Sequence, residues 1–187
     1  VYAPKQMTVF ASRDGASWER AGVTTTVARR TGERQVGGER AFMGWMQAGL
    51  ARRRARFLRL EFAGSAWTML SEVQVLSGGR NVAAGRSYHL SPAPTSTAQY
   101  ADRDGFLTDG AYSRGFSGWS GCAGWNEGQP TVTLDLLKPR SVQLVRVHLA
   151  GGGPGGVYFP QQIQVELSAD GQRWTGPLHI TERPAET

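Results

Sequence analysis

The sequence predicts an all-β protein built as an antiparallel β-sandwich, and three observations support this fold class. The chain of 187 residues contains 25 Gly and 9 Pro beside many Val, Thr, Tyr and Trp residues, a composition that favours strands and turns. Several short segments alternate apolar and polar side chains and end at turn residues. Such segments recur at the spacing typical of sandwiches and barrels. Because 40% of the residues are hydrophobic and 19% are charged, the composition is that of a folded chain with a core.

The clearest strand pattern lies near the start of the chain. Met7, Val9 and Ala11 alternate with residues of the opposite face, and the segment ends at Asp14-Gly15. Asp-Gly suits a tight hairpin because glycine supplies the positive φ that such turns need. The same reasoning predicts the remaining elements, which are strands at residues 56–62, 70–76, 131–136, 143–149 and 162–167, and one short helix at residues 41–51.

An internal repeat organises the chain. The opening VYAPKQMTVFASRDGASW and the segment VYFPQQIQVELSADGQRW, which begins at Val157, are identical at nine of eighteen positions without a gap. All nine pairs are separated by 156 residues, which is a domain length rather than the length of a solenoid unit. The matches include Trp and Tyr, which are rare residues, so coincidence is a poor explanation.

The repeat predicts how the chain divides. Residues 1–76 are interpreted as the C-terminal half of one repeat and residues 80–187 as the N-terminal part of the next, with a linker at residues 77–79. We expect the two parts to pack as one sandwich in permuted order. Residues 1–31 and 157–187 then compete for a single position, and the losing copy is expected to lie at an edge, to fray, or to complete a neighbouring molecule and so give a homo-oligomer.

Charge is concentrated in the first part of the chain. The net charge is +6, and residues 1–76 hold twelve Lys and Arg against six Asp and Glu, whereas the remainder holds nine of each. The run Arg52, Arg53, Arg54 and Arg56 dominates this excess. It is either a solvated face or a surface for anionic lipid or acidic polysaccharide. A nucleic-acid partner is disfavoured, because neither a Lys-rich arm nor a base-stacking motif accompanies the run.

Motifs for catalysis, disulfides and membrane spans are lacking in the sequence. His89, His148 and His179 lie in unrelated segments, and Cys122 has no second cysteine to pair with or to complete a zinc site. No nucleophile elbow, His-Glu-x-x-His or phosphate-binding loop is present. No run of eighteen apolar residues is present either, so we expect no transmembrane segment. The sequence therefore favours a binding or structural role over an enzymatic one.

Several motifs together resemble the discoidin family, also called the coagulation-factor type C domain, which includes carbohydrate-binding module family 32. The motifs are NVAAG at residues 81–85, LTDG at 107–110, SGW at 117–119, TVTLDL at 131–136, the repeated strand and Asp-Gly turn, ARFLRLEF at 55–62, Trp67, and LSEVQV at 70–75. They cover nearly the whole chain in permuted order. The resemblance implies a β-sandwich of the jelly-roll, galactose-binding-like type.

The resemblance also implies sugar binding. Aromatic faces stack on the C–H side of sugar rings while polar groups bind the hydroxyls, and the chain offers such a mixture in one loop region and on one strand. The candidate carbohydrate-binding residues are Tyr112, Arg114, Trp125, Asn126, Arg146 and His148. For His148 the alternative is a purely structural role.

A structural calcium ion is the cofactor that the resemblance implies. By position in the motifs, Asp109 and Glu72 match the two carboxylates that hold it. Because calcium takes six to eight oxygens, loop carbonyls would have to complete the site. The alternative is that Asp109 caps a turn and Glu72 faces solvent.

These observations lead to a functional expectation. The chain is expected to be a non-catalytic carbohydrate-binding module of a larger extracellular or cell-surface protein, which it tethers to a glycan or polysaccharide. Neighbouring repeats of the same protein would add avidity. Two alternatives stay open: a structural module that links subunits by strand exchange, and binding of anionic lipid or acidic polysaccharide through the Arg run.

Overall fold

The chain forms an all-β structure. The computed structural model describes residues 6–24, 27–36, 39–63, 67–95, 100–103, 105–113, 121–126, 129–151 and 166–168. Within these ranges the backbone forms ten strands and one 3₁₀ helix, and the pairing is antiparallel at every strand pair except one. No helix of this part of the chain has the length and apolar character needed to cross a membrane. The predicted all-β, antiparallel fold class is confirmed, and the jelly-roll type stays a prediction.

The strands, in chain order, are β1 (Gln6–Ser12), β2 (Glu19–Thr24), β3 (Val27–Val36), β4 (Glu39–Ala63), β5 (Thr68–Ser77), β6 (Arg80–Asn81), β7 (Tyr88–Ser91), β8 (Ala123–Trp125), β9 (Thr131–Gly151) and β10 (Glu166–Ser168). The 3₁₀ helix, Phe106–Thr108, lies between β7 and β8. β4 and β9 stand out by their length of 25 and 21 residues. A typical strand has five or six residues, so these two are long enough to pass through both layers of a sandwich.

The two long strands join the layers. The first layer runs β2, β1, the C-terminal half of β4, the N-terminal half of β9, and β7. The second layer runs β3, the N-terminal half of β4, the C-terminal half of β9, and β5, with β6 and β8 paired to β5. Since both long strands contribute to both layers, the sandwich is one continuous hydrogen-bonded sheet.

β4 and β9 bend where they pass from one layer to the other. The register of β4 against β9 shifts between Gly49 and Arg53. Arg52 lies within this shift at φ 57°, and Leu137 of β9 has φ 66°. A positive φ costs a side-chain-bearing residue on the order of 1 kcal/mol or more, so the bend is held against local backbone preference by the pairing on both sides.

The core lies between the layers. Leu58, Leu60 and Phe62 of β4 face inward from the first layer, and Val145 and Val147 of β9 face inward from the second. All five are fully buried in one continuous cluster. A buried Leu, Val or Phe contributes roughly 1.5–3 kcal/mol, so this cluster is the main source of stability.

The helix predicted at residues 41–51 is wrong, because this segment belongs to β4. Met46, Ala48 and Leu50 are buried while Gln47 and Gly49 are exposed, which is the two-residue period of a strand. The segment pairs with β3 on one side and with β9 on the other. Hydrogen bonding and burial from these distant partners override the local preference of an Ala- and Met-rich segment for helix.

The predicted strands outside this segment are confirmed where they are described. Residues 7–12, 56–62, 70–76, 131–136 and 143–149 all lie in strands. Of the strand predicted at residues 162–167, the end is described and lies in β10, while the rest is outside the described residues.

The segment interpreted as a linker, residues 77–79, forms the turn of the β5–β6 hairpin. Ser77 pairs with Arg80 across it. Gly78 and Gly79 have φ 58° and 78°, the pair of positive values that favours glycine in a two-residue hairpin. The division of the chain into two repeat halves stays a prediction. What is observed is that strands from both sides of this turn pair extensively, β4 with β9 above all.

The two copies of the repeated segment meet in the first layer. Phe10 lies opposite Glu166 and Ala11 opposite Leu167, in the parallel pair β1–β10. Both pairs are separated by 156 residues, the period of the repeat. β10 also pairs with β2 in the antiparallel sense. The described part of the second copy is therefore extended like the first and lies beside it in the repeat register.

Candidate functional site

Polar and aromatic side chains gather on the outer face of the second layer. Along β4, β9 and β5 the cross-strand register places them in two adjacent rows. The first row is Trp45, His148 and Glu72, and the second is Gln47, Arg146 and Gln74. Their neighbours on the inner face, such as Val73 and Val147, belong to the core. Strand alternation thus separates an apolar inner face from a polar outer face on the same three strands.

A β-bulge in β5 shapes the first row. The register against β9 shifts between Leu70 and Glu72, so that Ser71 is the extra residue. Its hydroxyl oxygen lies 2.6 Å from Nδ1 of His148, within hydrogen-bonding distance, and both side chains are buried. Bulges re-aim side chains, and this one brings the Ser71 hydroxyl to the histidine of the neighbouring strand.

Three aromatic rings and one guanidinium pack together on this outer face. The ring centroids of Trp45 and His148 are 4.9 Å apart, and Tyr112 packs against both, at 5.2 Å from Trp45 and 4.6 Å from His148. The guanidinium carbon of Arg146 lies 4.6 Å from the centre of the Trp45 ring, a cation–π contact. We call these four residues the aromatic cluster. Trp45 and His148 form its buried base, and Tyr112 and Arg146 form its half-buried outer layer.

Hydrogen bonds fix the second row. Nε of Arg146 donates to Oε1 of Gln74 at 2.8 Å, and Nε2 of Gln74 donates to Oε1 of Glu72 at 3.2 Å. Gln74 therefore connects the arginine to the carboxylate and holds the guanidinium plane over Trp45. A guanidinium has five N–H donors, so Arg146 has further donors with which to bind a ligand.

Burial perturbs the ionisation of two groups in the rows. Desolvation raises the pKa of Glu72 to about 7, and the negative charge of Asp109 adds to the increase, while bonds from Gln74 and the Gly110 backbone oppose it. Desolvation also lowers the pKa of His148 to about 4. At neutral pH the histidine is therefore uncharged, which suits a packing surface inside an aromatic cluster.

Glu72 and Asp109, the two predicted calcium ligands, lie in different environments. Glu72 is fully buried, and its Oε2 has no hydrogen-bond partner among the described residues. Asp109 is exposed and accepts a hydrogen bond of 2.7 Å from the Ala111 N–H. It therefore caps a turn, as the alternative to calcium binding predicts for this residue. The other part of that alternative, a solvent-facing Glu72, does not describe this structure. Within the described part of the chain, no group of three or more His, Cys, Asp or Glu side chains is arranged so that it could hold a metal ion.

Five of the six predicted carbohydrate-binding residues are described, and they lie in two separate places. Tyr112, Arg146 and His148 meet in the aromatic cluster. Trp125 and Asn126 lie at the far side of β5, where β8 pairs with it. Arg114 lies outside the described residues.

Trp125 and Asn126 have packing and hydrogen-bonding roles where they lie. Trp125 is 2% exposed, belongs to the main core and donates from Nε1 to the Pro92 carbonyl oxygen at 2.9 Å. Its ring faces contact protein rather than solvent. Asn126 is exposed, and its Oδ1 accepts a hydrogen bond of 2.9 Å from the Thr95 hydroxyl.

Sequence reasoning missed Trp45, Gln74 and Ser71. Trp45 lay in the segment predicted as a helix, so its position opposite His148 could not be recognised. Gln74 is separated from Glu72 by one residue, and their shared strand face was a usable signal. The bulge at Ser71 leaves no mark in a single sequence.

Comparison of the chain with protein-family models, with curated proteins and with solved structures finds no match. The resemblance to the discoidin family accordingly stays a prediction.

Proposed function

We propose that this chain is a non-catalytic carbohydrate-binding module that tethers a larger extracellular or cell-surface protein to a glycan. The observation that carries the proposal is the aromatic cluster, in which Tyr112 and Arg146 lie half-buried over the buried Trp45 and His148. A half-buried aromatic ring beside a charged donor is a combination that suits a sugar, because it offers apolar area and hydrogen bonds at the same place.

Each residue of the site has a distinct task in this proposal. Tyr112 offers its ring to the C–H face of a sugar, and Arg146 donates hydrogen bonds to ring substituents. Exposed Gln47, the cross-strand neighbour of Arg146, adds an amide that can both donate and accept. Trp45 and His148 hold the outer pair in place. Since the site is pre-formed by packing and by the Gln74 bond to Arg146, little side-chain freedom is lost on binding.

Calcium is proposed as a structural ion beside this site. Buried Glu72 has an oxygen without a partner among the described residues, and the nearby Asp109 carboxylate repels it. A divalent cation held by these two residues would neutralise both carboxylates. It would also hold the 109–112 segment, which carries Tyr112, against β5. Carboxylate oxygens are ligands that calcium prefers.

A glycan array followed by calorimetric titration tests the proposal. Tyr112→Ala and Arg146→Ala should each weaken binding of the best glycan at least tenfold, while circular dichroism shows an unchanged fold. Asn126→Ala is the matched control, since it removes an exposed polar side chain outside the cluster and should change affinity less than twofold. Absence of binding to any glycan, or equal loss in the control, would refute the proposal.

A second candidate function, assembly by strand exchange, is favoured by the β1–β10 pair. β10 lies beside β1 in the repeat register, so the described part of the second copy, Glu166–Ser168, has the extended conformation needed to occupy the first copy's place in another molecule. Light scattering across a range of concentrations tests it: mass should rise with concentration, and a strictly monomeric protein would eliminate this candidate.

A further inference from the structure

The outer face of the second layer changes character along β4. At one end it is covered: Met43 packs there with Met69, Cys122 and Ala150, and Tyr100 lies against them. Next comes the aromatic cluster around Trp45. Beyond it the face is open, because Gln47 and Gly49 are exposed and a Cβ placed on Gly49 would meet nothing within 4 Å.

This open face leads to a group of cations at the bend of the sandwich, which we call the arginine corner. Its members are Arg52, Arg53, Arg54, Lys138 and Arg140. The first three and Lys138 are exposed, and Arg140 is half-buried. β4 and β9 pair through this region, with Arg54 opposite Ser141 and Ala55 opposite Arg140.

The charge of the arginine corner is not neutralised by acidic side chains in the described ranges. The nearest carboxylate in the register is Asp135, and it is taken by Arg56, whose Nε and Nη2 each donate to it at 2.8 Å. Asp135 also accepts a hydrogen bond of 2.7 Å from the Leu137 N–H. The Arg56–Asp135 pair is therefore a neutral brace of the bend, and none of the ion pairs among the described residues involves the five members of the corner.

We propose that the ligand is an acidic polysaccharide, bound lengthwise along β4 from the aromatic cluster to the arginine corner. The inference rests on the proposed carbohydrate-binding function and names the class of glycan. Trp45 and Arg53 are eight residues apart on one strand, at most about 26 Å at 3.3 Å per residue, and the bend between Gly49 and Arg53 shortens this distance. A ligand that contacts both ends of this surface must be a polymer. Because cations lie at both ends, we expect the polymer to carry carboxylate or sulfate groups, which arginine binds in bidentate fashion.

Other polyanions fit the same surface less well. Single-stranded nucleic acid stacks successive bases on several exposed aromatic side chains, whereas Tyr112 is the half-buried ring of the aromatic cluster and the exposed members of the corner are Arg and Lys. An anionic membrane needs a broad apolar face for insertion. Leu137, 57% exposed, is the one large apolar side chain exposed within the described residues, and a single leucine gives little insertion. A sugar polymer uses the aromatic cluster and the corner together.

The test uses polygalacturonate as the acidic polymer and dextran as the neutral one, each titrated at low and at physiological salt. Arg53→Ser/Arg54→Ser should weaken polygalacturonate binding at least tenfold and reduce its salt dependence. Arg13→Ser/Arg80→Ser removes the same charge at exposed positions outside the corner and should change binding less than threefold. Gly49→Trp places a bulky side chain on the open face between the two ends and should weaken the polymer at least fivefold.

The outcomes separate this inference from the proposed function. If a neutral glycan binds as tightly as the acidic polymer, or if the two double variants behave alike, the acidic ligand is refuted while carbohydrate binding stands. If no glycan binds, both fail. Vesicles containing phosphatidylserine and a single-stranded oligonucleotide are tested in parallel, and tighter binding to either than to polygalacturonate overturns the inference.

Discussion

A single methyl group at Gly124 should destabilise the protein more than its size suggests. Gly124 lies in β8, and a Cβ built on it would come within 2.6 Å of the Met69 sulfur and 3.1 Å of the Tyr100 Cβ. The backbone cannot withdraw, because its N–H donates to the Tyr100 carbonyl and its own carbonyl accepts from the Thr95 N–H, at 2.9 and 2.8 Å. Met69 is 1% exposed, so the end of its side chain must repack within the buried cluster that it forms with Met43, Cys122 and Ala150.

The expected size of the effect follows from this geometry. Atoms in ordinary contact are about 3.5–4 Å apart, so Met69 must move by about 1 Å in a packed cluster. Overpacking of this kind costs about 1–3 kcal/mol. For a chain of this length, 2 kcal/mol lowers Tm by about 4–8 °C. Gly124→Ala should show that decrease in thermal unfolding followed by circular dichroism.

Gly49→Ala is the matched control, because Gly49 is also a strand glycine but its Cβ position is open. Alanine there should be neutral or raise stability by about 0.5–1 kcal/mol, since glycine loses more backbone freedom on folding. In a double-mutant cycle, Met69→Ala should relieve part of the Gly124→Ala cost. If Gly124→Ala is as stable as the parent, or if Met69→Ala leaves its cost unchanged, the packing of Tyr100 and Met69 over this face is not as described.

Four further predictions concern the rest of the fold. Leu134→Ala in the fully buried centre of β9 should cost about 2–5 kcal/mol in chemical denaturation, whereas Leu137→Ala at the exposed bend should cost less than about 1 kcal/mol; equal costs would contradict the placement of the core. Leu137→Gly should raise Tm, because φ 66° favours glycine, and a lower Tm would show that the leucine is needed there. Hydrogen bonds from Ser17 and Ala16 lower the pKa of Asp14 well below its ordinary value of 3.8. The ionised carboxylate therefore stabilises the fold above pH 3.8, and this stabilisation is lost as the pH falls toward the lowered pKa. Asp14→Ala should lower Tm at pH 7, and the difference in Tm between variant and parent should disappear in acid. Burial raises the pKa of the Cys122 thiol to about 12, so iodoacetamide at pH 8 should label it slowly in the folded protein and rapidly in urea; rapid labelling without urea would mean that the thiol is accessible.

The part of the fold that could be predicted is the part with clear alternation. Residues 131–136 read as a strand because Val132, Leu134 and Leu136 repeat with period two, and all three are buried. The segment 41–51 could not be read in this way, because Met43 and Trp45 are covered on the outer face while Met46 and Ala48 are covered on the inner one. A strand buried on both faces loses the alternation by which a sequence reveals it.

The site was predictable only in part, for a similar reason. Arg146 and His148 are two residues apart on one strand, so it could be inferred from their spacing that they share a face. Trp125 also looked like a ligand-binding residue, because a tryptophan in a Gly-rich segment has no periodic context. Its burial depends on β8 pairing with β5, a contact between residues more than fifty positions apart. Single-sequence reasoning has no access to such a contact.

The continuity of β4 and β9 through both layers governs how binding can be detected. Because the two layers share β4 and β9, we expect them to unfold together, and the outer face that carries the aromatic cluster should unfold with the core. A ligand that binds only the native state then protects the entire molecule by RT ln(1 + [L]/Kd), about 2.7 kcal/mol at a hundredfold excess over Kd. Differential scanning fluorimetry on the intact protein can therefore test candidate ligands without any label placed near the aromatic cluster.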